Sequence, residues 1–137
     1  MDMPPDAKRR IAEDEIVWLT TVTDGGAPAP NPVWFVPDGD DLVVFSAPSA
    51  HKVRNIERRP KVTLHFNADP HGGDVVVISG EATVGYNRLP SALPAYIDKY
   101  EQAITGPLEM TVEEIDRGYS TEIRVRPTRV RTTDTSV

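Results

Sequence analysis

The run Ser46-Ala47-Pro48-Ser49-Ala50-His51-Lys52-Val53-Arg54-Asn55 gathers hydroxyls, a lysine and an arginine where a strand gives way to a helix. The first turn of a helix offers unpaired N–H groups and a positive dipole end; with Ser46, Ser49 and Lys52 beside it, this is the chemistry of a phosphate site. The competing reading is a solvated basic helix that Arg58, Arg59 and Lys61 extend and that pairs with the acidic stretch from Asp98 to Asp116. A second group, Ala29-Pro30-Asn31-Pro32-Val33-Trp34-Phe35, places a proline on each side of Asn31. Proline has no N–H, so carbonyls here and the Asn31 amide are expected to lack ladder partners and to be free to bond a planar polar ring. The alternative is an edge strand that its prolines protect from aggregation. Trp34 and Phe35 point to opposite faces, which puts one of them in the core.

Other chemistries find less support. His65 lies in an alternating strand and His71 in a glycine-rich turn near Asp69 and Asp74, without ligand spacing, so no metal site is expected. There is no G-x-G-x-x-G, P-loop, H-E-x-x-H or G-x-S-x-G motif. The absence of cysteine excludes disulfides, thiol nucleophiles and Cys-ligated metals.

The elements that must position these groups follow from periodicity. A short surface helix opens near Asp6, with Ile11 as its one apolar residue. Strands are expected at Ile16–Thr23, Pro28–Val36, Leu42–Ser46, Val62–Phe66, Val75–Tyr86 and Ser120–Arg131, with turns at Asp24-Gly25-Gly26 and Asp38-Gly39-Asp40. Gly80 marks a bend or bulge and Pro127 a break. Val53 and Ile56 signal a helix that Ser49 caps and Pro60 ends. Leu93, Tyr96, Ile97, Tyr100 and Ile104 signal another, and Thr111-Val112-Glu113-Glu114 is a capping box. A polar tail follows from Thr132. Six antiparallel strands with few helices make a mainly β chain that favours a small barrel.

The length of 137 residues suits one domain over residues 1–137. The formal net charge of −6 argues against general nucleic-acid binding, while the local excess of positive charge from His51 to Lys61 points to an anionic ligand. No apolar run reaches the length of a signal peptide or membrane span, so a soluble, cytoplasmic protein with no membrane partner is expected.

The order strand, turn, N-P-V, strand, S-x-P-x-x-x-K-x-x-N-I and a proline-ended helix resembles the pyridoxamine-5′-phosphate-oxidase-like split β-barrel family. It is most similar to the actinobacterial branch that uses the deazaflavin coenzyme F-420, and the resemblance runs from Ile11 to Arg131. It implies a six-stranded antiparallel split barrel, homodimeric, with cofactor sites at the subunit interface. Asn31, Pro32 and Val33 would line the ring, Ser46 would lie near the ribityl chain or phosphate, and Lys52 and Asn55 would fall on the phosphate segment, with Ser49 and Arg54 as further candidates. Related proteins often carry an arginine at the position of Ala50. The implied activity is hydride transfer between F-420 and a small organic substrate bound near Trp34, with His51, His65 or Tyr86 as conceivable proton donors. FMN is the alternative cofactor. A non-catalytic flavin-, deazaflavin- or haem-binding protein and an acid-binding interaction module are the alternative functions.

Overall fold

The computed structural model describes residues 1–133, so the expected polar tail lies outside the described residues from Asp134 onward. In chain order the elements are α1 (Pro5–Glu13), β1 (Ile16–Val22), β2 (Pro28–Trp34), β3 (Val36–Asp38), β4 (Asp41–Ser46) and α2 (His51–Arg58). There follow β5 (Lys61–His65), β6 (Val76–Tyr86), a 3-10 turn at Pro90–Ala92, α3 (Pro94–Thr105), α4 (Val112–Gly118) and β7 (Thr121–Thr132). The strands form one antiparallel sheet in the order β2-β1-β5-β6-β7-β4-β3.

Alternation decides which face is buried. Val17 and Leu19 of β1, Leu64 of β5, Ile78 of β6 and Ile123 and Val125 of β7 point inward with Val53 and Ile56 of α2 and form the main core. Val36, Val43 and Phe45 point the other way and are covered by Tyr96, Tyr100 and Ile104 of α3 and Ile115 of α4. The register of β6 against β7 shifts between Ser79 and Gly80, opposite Pro127. A Cβ on Gly80 would stand 2.7 Å from the Arg126 carbonyl oxygen, so the expected bulge requires glycine. The expected capping box also forms, with Glu114 N–H donating to Thr111 Oγ1 and Thr111 N–H to Glu114 Oε1, both at 3.1 Å.

Three expectations need correction. Seven strands form among the described residues rather than six. The extended segment from Pro28 splits at Phe35, whose backbone is bonded by side chains of α3. Phe35 N–H donates to the Tyr100 hydroxyl at 2.8 Å, and Lys99 Nζ donates to the Phe35 carbonyl at 2.8 Å. With those groups satisfied, the chain leaves β1 and pairs with β4 as a separate strand. The N-cap of α2 is Ala50, in extended geometry with no side-chain cap bond, and not Ser49. Finally, α1 begins behind Pro4, with Pro5 favoured in its first turn, instead of being capped by Asp6, and it buries Ala7 and Arg10 against the main core and the β5–β6 loop.

The Tyr100 hydroxyl also lies 2.7 Å from the Glu15 carbonyl, so it ties α3 to both the β1 entry and the β2–β3 junction. Tyr100→Phe is expected to lower stability by about 2 kcal/mol, because the buried Phe35 N–H loses its acceptor. The check is a lower urea midpoint at an unchanged m-value.

Candidate functional site

Pro28, Pro30 and Pro32 pair with Val22, Thr20 and Trp18 across the β1–β2 ladder, and β2 is the outer strand. Without N–H groups these must be the non-hydrogen-bonded pairs, so ladder bonds run through Ala29, Asn31 and Val33 and the proline carbonyls face outward. The edge-strand expectation therefore holds, while the backbone of Asn31 is taken up opposite Leu19 rather than left free.

At the end of this edge is a cavity of about 290 Å³ lined by Ile16, Pro32, Val33, Trp34, Phe45, Lys52, Tyr96, Leu108, Ile115 and Tyr119. The barrel edge supplies one wall and the segment between β6 and β7 the other. Trp34 stacks on Tyr100 with centroids 4.4 Å apart and planes 2° apart, and Phe45 meets Tyr96 edge to face at 4.9 Å. Of the Trp34–Phe35 pair, Phe35 is the core residue and Trp34 the pocket wall.

Among the described residues, Lys52 is the one charged residue on this lining. It is half-buried and makes no hydrogen bond or ion pair with any described residue, and burial pushes its ammonium below the ordinary lysine range. No carboxylate among the described residues lines the cavity. An anionic group on a ligand would compensate that charge, and the aromatic walls would hold a planar body. Lys99, behind the wall, is pushed down to about 8 by burial, but its amine is engaged by the Phe35 carbonyl.

Of the residues singled out in the sequence, Pro32, Val33 and Lys52 meet at this cavity; Asn31, Ser46, Ser49, Arg54 and Asn55 do not line it. Asn31 and Ser49 are exposed. Ser46 is buried at the end of β4 and its hydroxyl donates to the Ala47 carbonyl at 3.0 Å. Asn55 faces inward and donates to Thr21 Oγ1 at 3.0 Å, tying α2 to β1. Arg54 turns to Asp24, which also takes Arg58 and Arg59, with contacts of 3.2, 2.8 and 3.3 Å. The basic helix is thus answered by the β1–β2 turn and not by the acidic stretch from Asp98 to Asp116. Tyr96, Phe45, Ile115 and Tyr119 escaped sequence reasoning because their spacing signals only a core face. Conceivable proton donors His51, His65 and Tyr86 also lie off the lining; Tyr86 donates to Glu57 Oε1 at 2.8 Å. No cluster of three potential metal ligands occurs among the described residues.

A curled antiparallel sheet whose proline-bearing edge and helical excursion enclose a one-lysine pocket defines a mainly β half-barrel of the split-barrel type. The chain matches the pyridoxamine 5′-phosphate oxidase family over residues 3–134 and belongs to it. No curated protein matches it significantly. Among solved structures, an F420 reductase is similar at 24% identity, covering 94% of this chain and 98% of that one with a TM-score of 0.75. The haem storage protein HutZ from Vibrio cholerae is similar at 17% identity, with 99% and 98% covered and a TM-score of 0.69. General Stress Protein 26 from Bacillus anthracis is similar at 15% identity, with 96% and 93% covered and a TM-score of 0.69. At these identities the likeness is one of fold. No helix among the described residues is long and apolar enough to cross a membrane.

Proposed function

We propose that this chain binds the deazaflavin coenzyme F-420 and is an oxidoreductase that transfers hydride between it and a small organic substrate. The observation that carries this reading is Lys52, a half-buried cation without a partner among the described residues, in a carboxylate-free aromatic pocket bordered by Pro32 and Val33. A tricyclic ring with a phosphate on its side chain satisfies both halves of that pocket, and FMN shares those two features. When bound, the cofactor supplies the hydride chemistry, and the residues of the chain bind it, orient it and exclude water.

Arg54, Arg58 and Arg59 favour the deazaflavin. Three guanidiniums share the single carboxylate of Asp24 and remain about half exposed. Arg58 lies roughly 9 Å along the axis of α2 from Lys52, at about 1.5 Å per residue. The oligoglutamate tail of F-420, which FMN lacks, would find its countercharge there. This reading places the protein in the cytoplasm as a homodimer with the cofactor at the subunit interface.

Equilibrium titration of the protein with F-420 and with FMN is the deciding experiment. F-420 is expected to bind more tightly, and Arg54→Ala with Arg58→Ala to erode that advantage while leaving FMN affinity unchanged. Turnover of reduced F-420 with an electron acceptor distinguishes an enzyme from a carrier. Failure to bind either cofactor overturns the reading, and a monomeric mass by light scattering at micromolar concentration overturns its dimeric form.

A further inference from the structure

Tyr96 and Tyr100 stand one turn apart on the buried face of α3, yet the fold uses their hydroxyls differently. That of Tyr100 is bonded within the protein to the backbone of Phe35 and Glu15. That of Tyr96 has no hydrogen-bond partner among the described residues, although the residue is only 4% exposed. Its ring packs against Phe45 at 4.9 Å, Tyr100 at 5.0 Å and Trp34 at 6.5 Å between centroids, contacts that a phenylalanine would make equally well. The hydroxyl oxygen is not among the fully buried atoms left without a partner, which are His65 Nδ1 and Thr121 Oγ1, so it stays accessible and free to bond a group from outside the chain. Tyr96 lines the same cavity as Lys52. Burial, with the neighbouring Tyr100 and Tyr119, holds its phenol far above the ordinary tyrosine range, so it remains a neutral donor at any working pH.

We propose that Tyr96 is a ligand-binding residue that donates a hydrogen bond to a carbonyl or imide oxygen on the planar body whose anionic group pairs with Lys52. The cavity then reads two acceptors, an anion through a cation and a neutral oxygen through a phenol. A planar anion without a ring carbonyl would bind less well. This rests on the pocket being the cofactor site, as proposed above.

Tyr96→Phe keeps the ring and removes the donor. The melting temperature is expected to stay level or rise, in contrast to Tyr100→Phe, while affinity for F-420 and FMN falls about tenfold, the scale of one lost hydrogen bond. The infrared carbonyl stretch of the bound ring is expected to move to higher frequency. Unchanged affinity and an unchanged stretch in a variant whose parent binds overturn the role of Tyr96 and leave the cofactor reading intact. A drop in melting temperature as large as that of Tyr100→Phe overturns it as well, since the hydroxyl would then be bonded inside the fold. If the parent protein binds neither cofactor, both readings fall.

Discussion

Arg10→Ala is expected to remove about 3 kcal/mol of folding stability, the lower end of the range for breaking a buried ion pair. The guanidinium side chain is 8% exposed. Its Nε and Nη2 donate to Asp14 Oδ2 at 2.9 and 2.7 Å, its Nη1 to Asp74 Oδ2 at 3.1 Å and to the Asp74 carbonyl at 3.0 Å, and its Nη2 also to the Asn67 carbonyl at 2.7 Å. The cation sits 5.2 Å from the centroid of Phe66. Alanine would leave the Asp74 and Asn67 carbonyls and the part-exposed Asp14 and Asp74 carboxylates without the guanidinium, and α1 would be held to the loop that joins β5 to β6 only through Arg9 and Asp74 among these ion pairs. The neighbouring Arg9, which also bonds Asp74 but is 43% exposed, is the control. Its alanine variant is expected to lose less than about 1 kcal/mol. Urea unfolding of both variants tests this, and a loss of less than about 1 kcal/mol for Arg10→Ala would show that the clamp is dispensable.

Lys52→Ala is expected to weaken binding of both phosphate-bearing cofactors by about 1.5–3 kcal/mol, the range for hydrogen bonds to charged groups, which is roughly ten- to a hundredfold or slightly more. The fold should not suffer, because burial already disfavours the ammonium and it has no partner among the described residues. Lys52→Met, which keeps the aliphatic stem, is expected to match or exceed the stability of the parent while binding as poorly as the alanine variant. Affinity of the parent should fall as salt is raised and that of the variants should depend on salt less. Titration at two ionic strengths, with thermal melts of the same samples, separates these effects. Equal affinity of parent and variants would remove the phosphate from Lys52.

Much of the fold was legible in the residues. The alternation of β1, the three prolines of β2 and the Thr111–Glu114 box rest on groups a few positions apart, and Gly80 marked its bulge although the close approach that requires glycine comes from Arg126 of β7. The split at Phe35 was not legible. It depends on Tyr100 and Lys99, more than sixty residues away, whose periodicity announces a buried helix face and says nothing of where a hydroxyl or amine will find a carbonyl. Separations of 30 to 35 residues likewise hid Asp24 as the partner of Arg54, Arg58 and Arg59, and Thr21 as the partner of Asn55.

For the site, the residue types alone determined that a basic, hydroxyl-bearing segment follows a proline-bearing strand, because proline chemistry and the charge of a short helix are local properties. Which cation faces the cavity was decided by tertiary structure. Lys52 and Arg54 are two residues apart, yet helical geometry sends one to the aromatic cavity and the other to the β1–β2 turn. The other wall of that cavity, with Tyr96 and its unspent hydroxyl, comes from the excursion between β6 and β7. The curl of the sheet, in which β7 pairs with β4, brings it opposite Pro32 and Lys52.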